Sequence, residues 1–171
     1  MACPITTGFT LGCKDNFSGI EWLAIASFDG STVFTLGVGA SASEIQSFSP
    51  TSSFYKYEQF VEQGSVTQEM SGGENSTLAF TQTITLMMET MDIATRDKAL
   101  TLLQARVRVI VKTNRGDYLL FGKGGGLRSS AATAGPGKMT SDLNGFSITL
   151  TGIEKEPAAF IKASFATTLI V

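Results

Sequence analysis

At 171 residues the chain is long enough for one domain with a sizeable core and too short to expect two. Charged residues make up 16% and the net charge is −2, so the basic footprint needed to read nucleic acid by sequence is missing. Histidine is absent, which removes the usual base for a serine or cysteine nucleophile, and Cys3 and Cys13 alone cannot hold a structural zinc; no enzyme activity, metal site or cofactor is expected.

After a turn-rich opening, Ile20 to Phe28 reads as a buried strand, with Ile20, Trp22, Ala24, Ala26 and Phe28 on one side and Leu23 and Ile25 on the other. Asp29-Gly30-Ser31 is a turn, and Thr32 to Val38 is the expected hairpin partner of that strand. Gly39 to Ser43 loosens the chain. From Glu44 to Gly73 the pattern is irregular, with Pro50 and an aromatic cluster at Phe54, Tyr55, Tyr57 and Phe60. This stretch reads as a long hairpin arm or an extended loop, its aromatics serving either as a contact site or as packing against the parent sheet.

Gly72-Gly73 opens a long amphipathic strand between Ser76 and Glu89. Leu78, Phe80, Ile84, Leu86 and Met88 occupy one parity, and Thr77, Thr81, Thr83 and Thr85 the other. One face is therefore a row of hydroxyls, suited to the wall of a wet surface or channel. Asp92 is the expected cap of a helix ending at Gln104, with Ile93, Leu100 and Leu103 as its apolar face and Arg96, Asp97 and Lys98 in solvent. Arg106 to Thr113 is a Val-rich strand whose Arg106, Arg108 and Lys112 form a polar face; it turns through Asn114-Arg115-Gly116-Asp117 into Tyr118 to Gly122.

Gly122 to Asp142 is rich in Gly, Ser and Ala and reads as a flexible loop carrying Lys123, Arg128 and Lys138. Asp142-Leu143-Asn144-Gly145 then launches a strand with Phe146, Ile148 and Leu150 set against Ser147, Thr149 and Thr151, ending near Glu156-Pro157. Ala158 to Val171 supplies one or two more strands, finishing in an apolar, strand-like tail from Ala163. The expectation is a single domain over 1–171, mainly β with one short helix (α+β), its antiparallel strands forming a sandwich or barrel flanked by that helix.

The remaining motifs carry little chemistry. Ala132 to Met139 is superficially similar to a phosphate-binding loop at Gly137-Lys138, but Ala132 and Met139 stand where Gly and Ser or Thr are required, and no strong helix follows. Glu154 and Glu156 share a parity beside Lys155 and read as a solvated strand end. Asn75-Ser76-Thr77 fits a glycosylation acceptor that matters only in a secreted protein. Met1 to Gly12 lacks the basic start and apolar run of a secretory signal, and no stretch approaches the roughly 20 apolar residues of a membrane span. Reduced thiols are expected at Cys3 and Cys13 rather than a disulfide closing so short a loop.

The segments Met1-Ala2-Cys3 through Gly8, Cys13-Lys14-Asp15 and Gly19-Ile20 resemble the start of phage virion proteins. The helix, the Val-rich hairpin and the strand opening at Asp142-Leu143-Asn144-Gly145-Phe146 are similar to their second half. Together with the order of elements, the chain resembles the tail-tube fold of long-tailed bacteriophages, which type VI secretion tube proteins share; the excursion from Glu44 to Gly73 is unmatched. The resemblance implies a subunit of hexameric rings that stack into a hollow tube for DNA, made in the host cytoplasm and residing in the virion tail. Its partners would be copies of itself and other tail proteins, a sheath, baseplate or terminator among them. On that reading Phe54, Tyr55, Tyr57, Phe60, Lys123, Arg128 and Lys138 are candidates for subunit contacts, and Thr77, Thr81, Thr83 and Thr85 for the lumen. Alternatives are a tail terminator, a baseplate tube initiator, a capsid decoration protein or a glycan-binding β-sandwich using Tyr55 and Tyr57.

Overall fold

The computed structural model describes residues 18–39, 42–49, 52–60, 62–72, 78–138 and 142–171. Cys3, Cys13, Asn75, Ser76, Thr77 and Met139 lie outside them. In chain order the elements are β1 (Ile20–Ser27), β2 (Val33–Leu36), β3 (Glu44–Ser49), β4 (Tyr55–Glu58), β5 (Ser65–Gly72), β6 (Leu78–Met88), α1 (Ile93–Gln104), β7 (Arg106–Thr113), β8 (Tyr118–Phe121), β9 (Leu127–Gly135), β10 (Gly145–Glu154), β11 (Ala159–Ile161) and α2 (Ala163–Leu169). The fold is mainly β with short helices, of the α+β class.

β1 and β7 form the centre. They pair antiparallel from Ile20 opposite Thr113 to Ser27 opposite Val107. β1 is apolar on both parities, and Val107 to Val111 of β7 are all buried, as expected of strands covered on two sides. Leu23 and Ile25 join Val107, Val109 and Val111 in one core, with Ile84 and Leu86 of β6 and Ile148 and Leu150 of β10. Trp22, Ala24 and Ala26 join Ile110 and Leu120 in a second core, closed by Ile45, Phe48, Phe54 and the α2 residues Ala166 and Leu169. Each of the larger aliphatic side chains so buried contributes about 1.5–3 kcal/mol.

On its other edge β7 is paired by β8 over Val109–Lys112 and by the start of β9 at Arg106 and Val107. The switch between them is the turn Gly122–Gly126, closed by a bond from the Gly126 N–H to the Gly122 carbonyl. Gly126 has φ +68°, and a Cβ there would lie 2.7 Å from the Phe28 ring, so both backbone and packing require glycine. Beyond β9 the sheet continues through β10 and β6 to β5. This half packs its apolar side onto β1 and β7 to enclose the first core.

Several expectations are corrected. β2 pairs with β3, and the neighbours of β1 are β7 and β4, because a strand apolar on both sides needs central partners. The hairpin arm or loop expected at 44–73 is three strands, β3, β4 and β5, that pair elsewhere in the sheet and not with one another, and the loop expected at 122–142 contains β9. β5 and β9 are mostly exposed and built of small or polar residues, so they lack a buried parity to signal them, and β3 buries Ile45 and Phe48, which do not share a parity. The strand-like tail from Ala163 is instead the helix α2, making two helices among the described residues rather than one. The sheet is also not purely antiparallel, since β11 runs parallel to β3. Helix α1 keeps its Asp92 cap, the carboxylate accepting from the Thr95 N–H at 2.6 Å. It buries Ala99 and Leu102, whereas Ile93, Leu100 and Leu103 are exposed.

Candidate functional site

Burial of Gln82, Ile84 and Leu86 fixes the orientation of β6 and turns Thr81, Thr83 and Thr85 to the opposite face. Register then extends their row sideways. Thr85 lies between Ser65 of β5 and Thr149 of β10, Thr83 between Thr67 and Thr151, and Thr81 between Glu69 and Ile153. β9 adds Thr133 opposite Ser147, Ala131 opposite Thr149 and Arg128 opposite Thr151. The result is a four-stranded field of hydroxyls whose charged members are Glu69 and Arg128.

Neighbouring hydroxyls bond to one another. Thr85 and Thr149 are 3.3 Å apart at their Oγ1 atoms, and Ser130 Oγ is 2.9 Å from Thr151 Oγ1. Such cross-strand pairs add a few tenths of a kcal/mol each while leaving lone pairs for water. β5 bounds this field at the end of the strand order, exposed along nearly its whole length.

The aromatic cluster divides. Phe54 is buried at 1% exposure and bridges to Ile170, its backbone bonded to Leu169 and Val171, so it is a core residue rather than a contact residue. Tyr55 and Phe60 are exposed, and with the half-buried Tyr57 they line a groove of about 610 Å³ beside Met87, Met88 and Lys98. Burial raises the Tyr57 phenol above its ordinary pKa. Gln59, which no sequence pattern singles out, fixes this groove. Its Nε2 donates to the Met87 carbonyl at 3.0 Å and its Oε1 accepts from the Met87 N–H at 2.9 Å. The side chain thereby prolongs the ladder along β6 past the point where β5 pairs.

Lys123, Arg128 and Lys138 occupy three different places. Lys123 follows β8 and pairs with Glu156 at 3.2 Å, Arg128 sits on the hydroxyl field, and Lys138 lies beyond β9 with its N–H on the Asp142 carboxylate. Arg108, expected on a polar strand face, is 3% exposed. Its neighbour on that parity, Ile110, belongs to the second core, so that side of β7 is covered rather than solvated. Among the described residues no group of three His, Cys, Asp or Glu is placed to hold a metal, and no helix is long and apolar enough to cross a membrane. No protein-family model, curated protein or solved structure matches the chain.

Proposed function

We propose that the chain is a virion structural protein, the subunit of stacked hexameric rings that form the tail tube of a long-tailed bacteriophage, with the hydroxyl field of β5, β6, β10 and β9 turned to the channel. The observation that carries this reading is the near absence of charge on so broad a polar surface. A DNA channel must be wetted, yet a wall of cations would hold phosphates by counterion release and a wall of carboxylates would repel them. Threonine suits both demands: its branched side chain favours strands and its hydroxyl hydrates the wall. Among the described residues β5 is paired on one edge alone, which supports the same reading, because an exposed strand is a liability in a monomer and a joint in an assembly. Ring order comes from the family resemblance. The partners on this reading are further copies of the chain and other tail proteins, with DNA passing without lasting contact.

Negative-stain electron microscopy of the purified protein across a concentration series tests it. Rings or tubes with a stain-filled centre are expected as concentration rises. Monomers at every concentration, including in the presence of a tail-initiating complex, would overturn the proposal.

A further inference from the structure

A second site lies on the opposite side of β7 from the first core. Arg108 is almost fully buried, and its guanidinium stacks 4.6 Å from the Phe28 ring and 5.1 Å from the Phe34 ring. Nη1 donates to Thr32 Oγ1 at 2.6 Å, and Nη2 to the carbonyls of Asp29 at 2.8 Å and Lys123 at 3.2 Å. Nε has no hydrogen-bond partner, and among the described residues no carboxylate lies within ion-pairing distance of the guanidinium. A buried cation whose nearest counter-charges, Asp29 and Glu154, stand beyond ion-pairing distance, and which keeps an unused donor, is a rare and expensive arrangement.

The nearby acids are already engaged. The Glu154 carboxylate accepts from the N–H groups of Gly124 and Gly125, Glu156 is held by Lys123, and Asp29 accepts from the N–H and hydroxyl of Ser31. Arg108 lines a cavity of about 740 Å³ in which it, Lys123 and Lys155 outnumber the Glu154 and Glu156 carboxylates by one, beside the apolar Phe34 and Ile153. That volume is within the range of ligand pockets, and the mixture of cation and apolar wall selects an anion on an apolar body. Three of the five guanidinium N–H groups are committed, which leaves one Nη1–H besides the enclosed Nε–H. A carboxylate can use that Nη1–H plus the Lys123 ammonium, whereas a doubly charged phosphate would be repelled by Glu154 and Glu156 on the same wall.

We propose that this cavity is a binding site for a carboxylate carried on an apolar group, either a free organic acid or an acidic side chain presented by a second copy of the chain. The inference goes beyond the tube reading and does not depend on it.

The probe is benzoate, titrated at constant ionic strength into dilute wild-type protein carrying ¹⁵N-arginine, with the Arg108 Nε–H resonance assigned by its loss in Arg108→Lys. A saturable shift is expected, with benzamide inactive and affinity at least about tenfold weaker in Lys123→Met. No saturable shift, or an equal response to benzamide, overturns the proposal whether or not the protein assembles. At assembling concentrations, sedimentation then separates the two sources. Benzoate that disperses assemblies marks the carboxylate as a second copy's; a saturable shift with assembly unchanged marks a free acid.

Discussion

Gly145 opens β10, in the middle of the hydroxyl-bearing sheet, and offers a sharp test of how tightly that sheet is registered. A Cβ placed on it would lie 1.9 Å from the Met88 carbonyl oxygen and 3.0 Å from the Glu89 Cα. Both are backbone atoms, so no rotamer change relieves the overlap, and the strand must move away by more than an ångström. The first two residues of β10 would then lose their pairing, Gly145 with Gly135 and Phe146 with Met88 and Ala134. Two to three ladder bonds at about 1 kcal/mol each, with partial exposure of Phe146, amount to roughly 2–4 kcal/mol for Gly145→Ala. In a domain of this size that lowers Tm by roughly 5–15 °C. Gly72→Ala on β5 is the control: its added Cβ meets nothing within 4 Å, and the variant should melt within a few degrees of wild type. Calorimetry of the three proteins decides the matter. A Gly145→Ala melt coincident with wild type would refute the register at the start of β10.

Phe54→Ala should cost about 3–5 kcal/mol by urea unfolding, whereas Phe60→Ser should stay within about 0.5 kcal/mol, since one ring is in the core and the other in solvent; equal effects would contradict the division of the aromatic cluster. Hydrogen bonds from Thr95 hold the Asp92 carboxylate below its ordinary pKa, so its support of α1 is complete above about pH 4 and is lost as pH falls through that depressed value. The stability gap between wild type and Asp92→Ala should therefore close on acidification in a pH series of thermal melts; a gap that persists below pH 2 would count against the cap. Thr83→Arg combined with Thr151→Arg should lower Tm by a few degrees without unfolding the protein, since both side chains are on the outward face but stand in line with Arg128. Assemblies of that variant should co-sediment with duplex DNA at low salt and release it as salt rises, while wild-type assemblies stay free of DNA; no difference between them would remove the channel-facing assignment.

The parts legible in the sequence are those where a periodic pattern meets a buried face. Thr81, Thr83 and Thr85 alternate with Gln82, Ile84 and Leu86, and the structure places the two sets on opposite sides of β6. The cap at Asp92 and the turn between β7 and β8 were legible because their chemistry is local. Pairing was not, since nothing in Ile20–Ser27 says that its partner is Arg106–Thr113 rather than the nearer β2. β5 and β9 escaped because their side chains are small or polar on both parities, leaving no contrast to detect. Arg108 escaped for the opposite reason: two flanking cations suggested a solvated face, and only the fold brings Phe28 and Phe34 against it.

The pairing of β1 with β7 also fixes an order of events during synthesis. Residues 20–27 leave the ribosome first, yet their neighbour along the longer edge is residues 107–113, some eighty positions later. Translation at about 5–20 residues per second holds the two apart for several seconds. Throughout that interval Trp22, Leu23 and Ile25 have no native strand to cover them from that side. The nascent chain therefore presents a sticky segment that only late-made sequence can bury, and its yield in the cell should respond to the supply of holding chaperones more than to the stability of the finished fold.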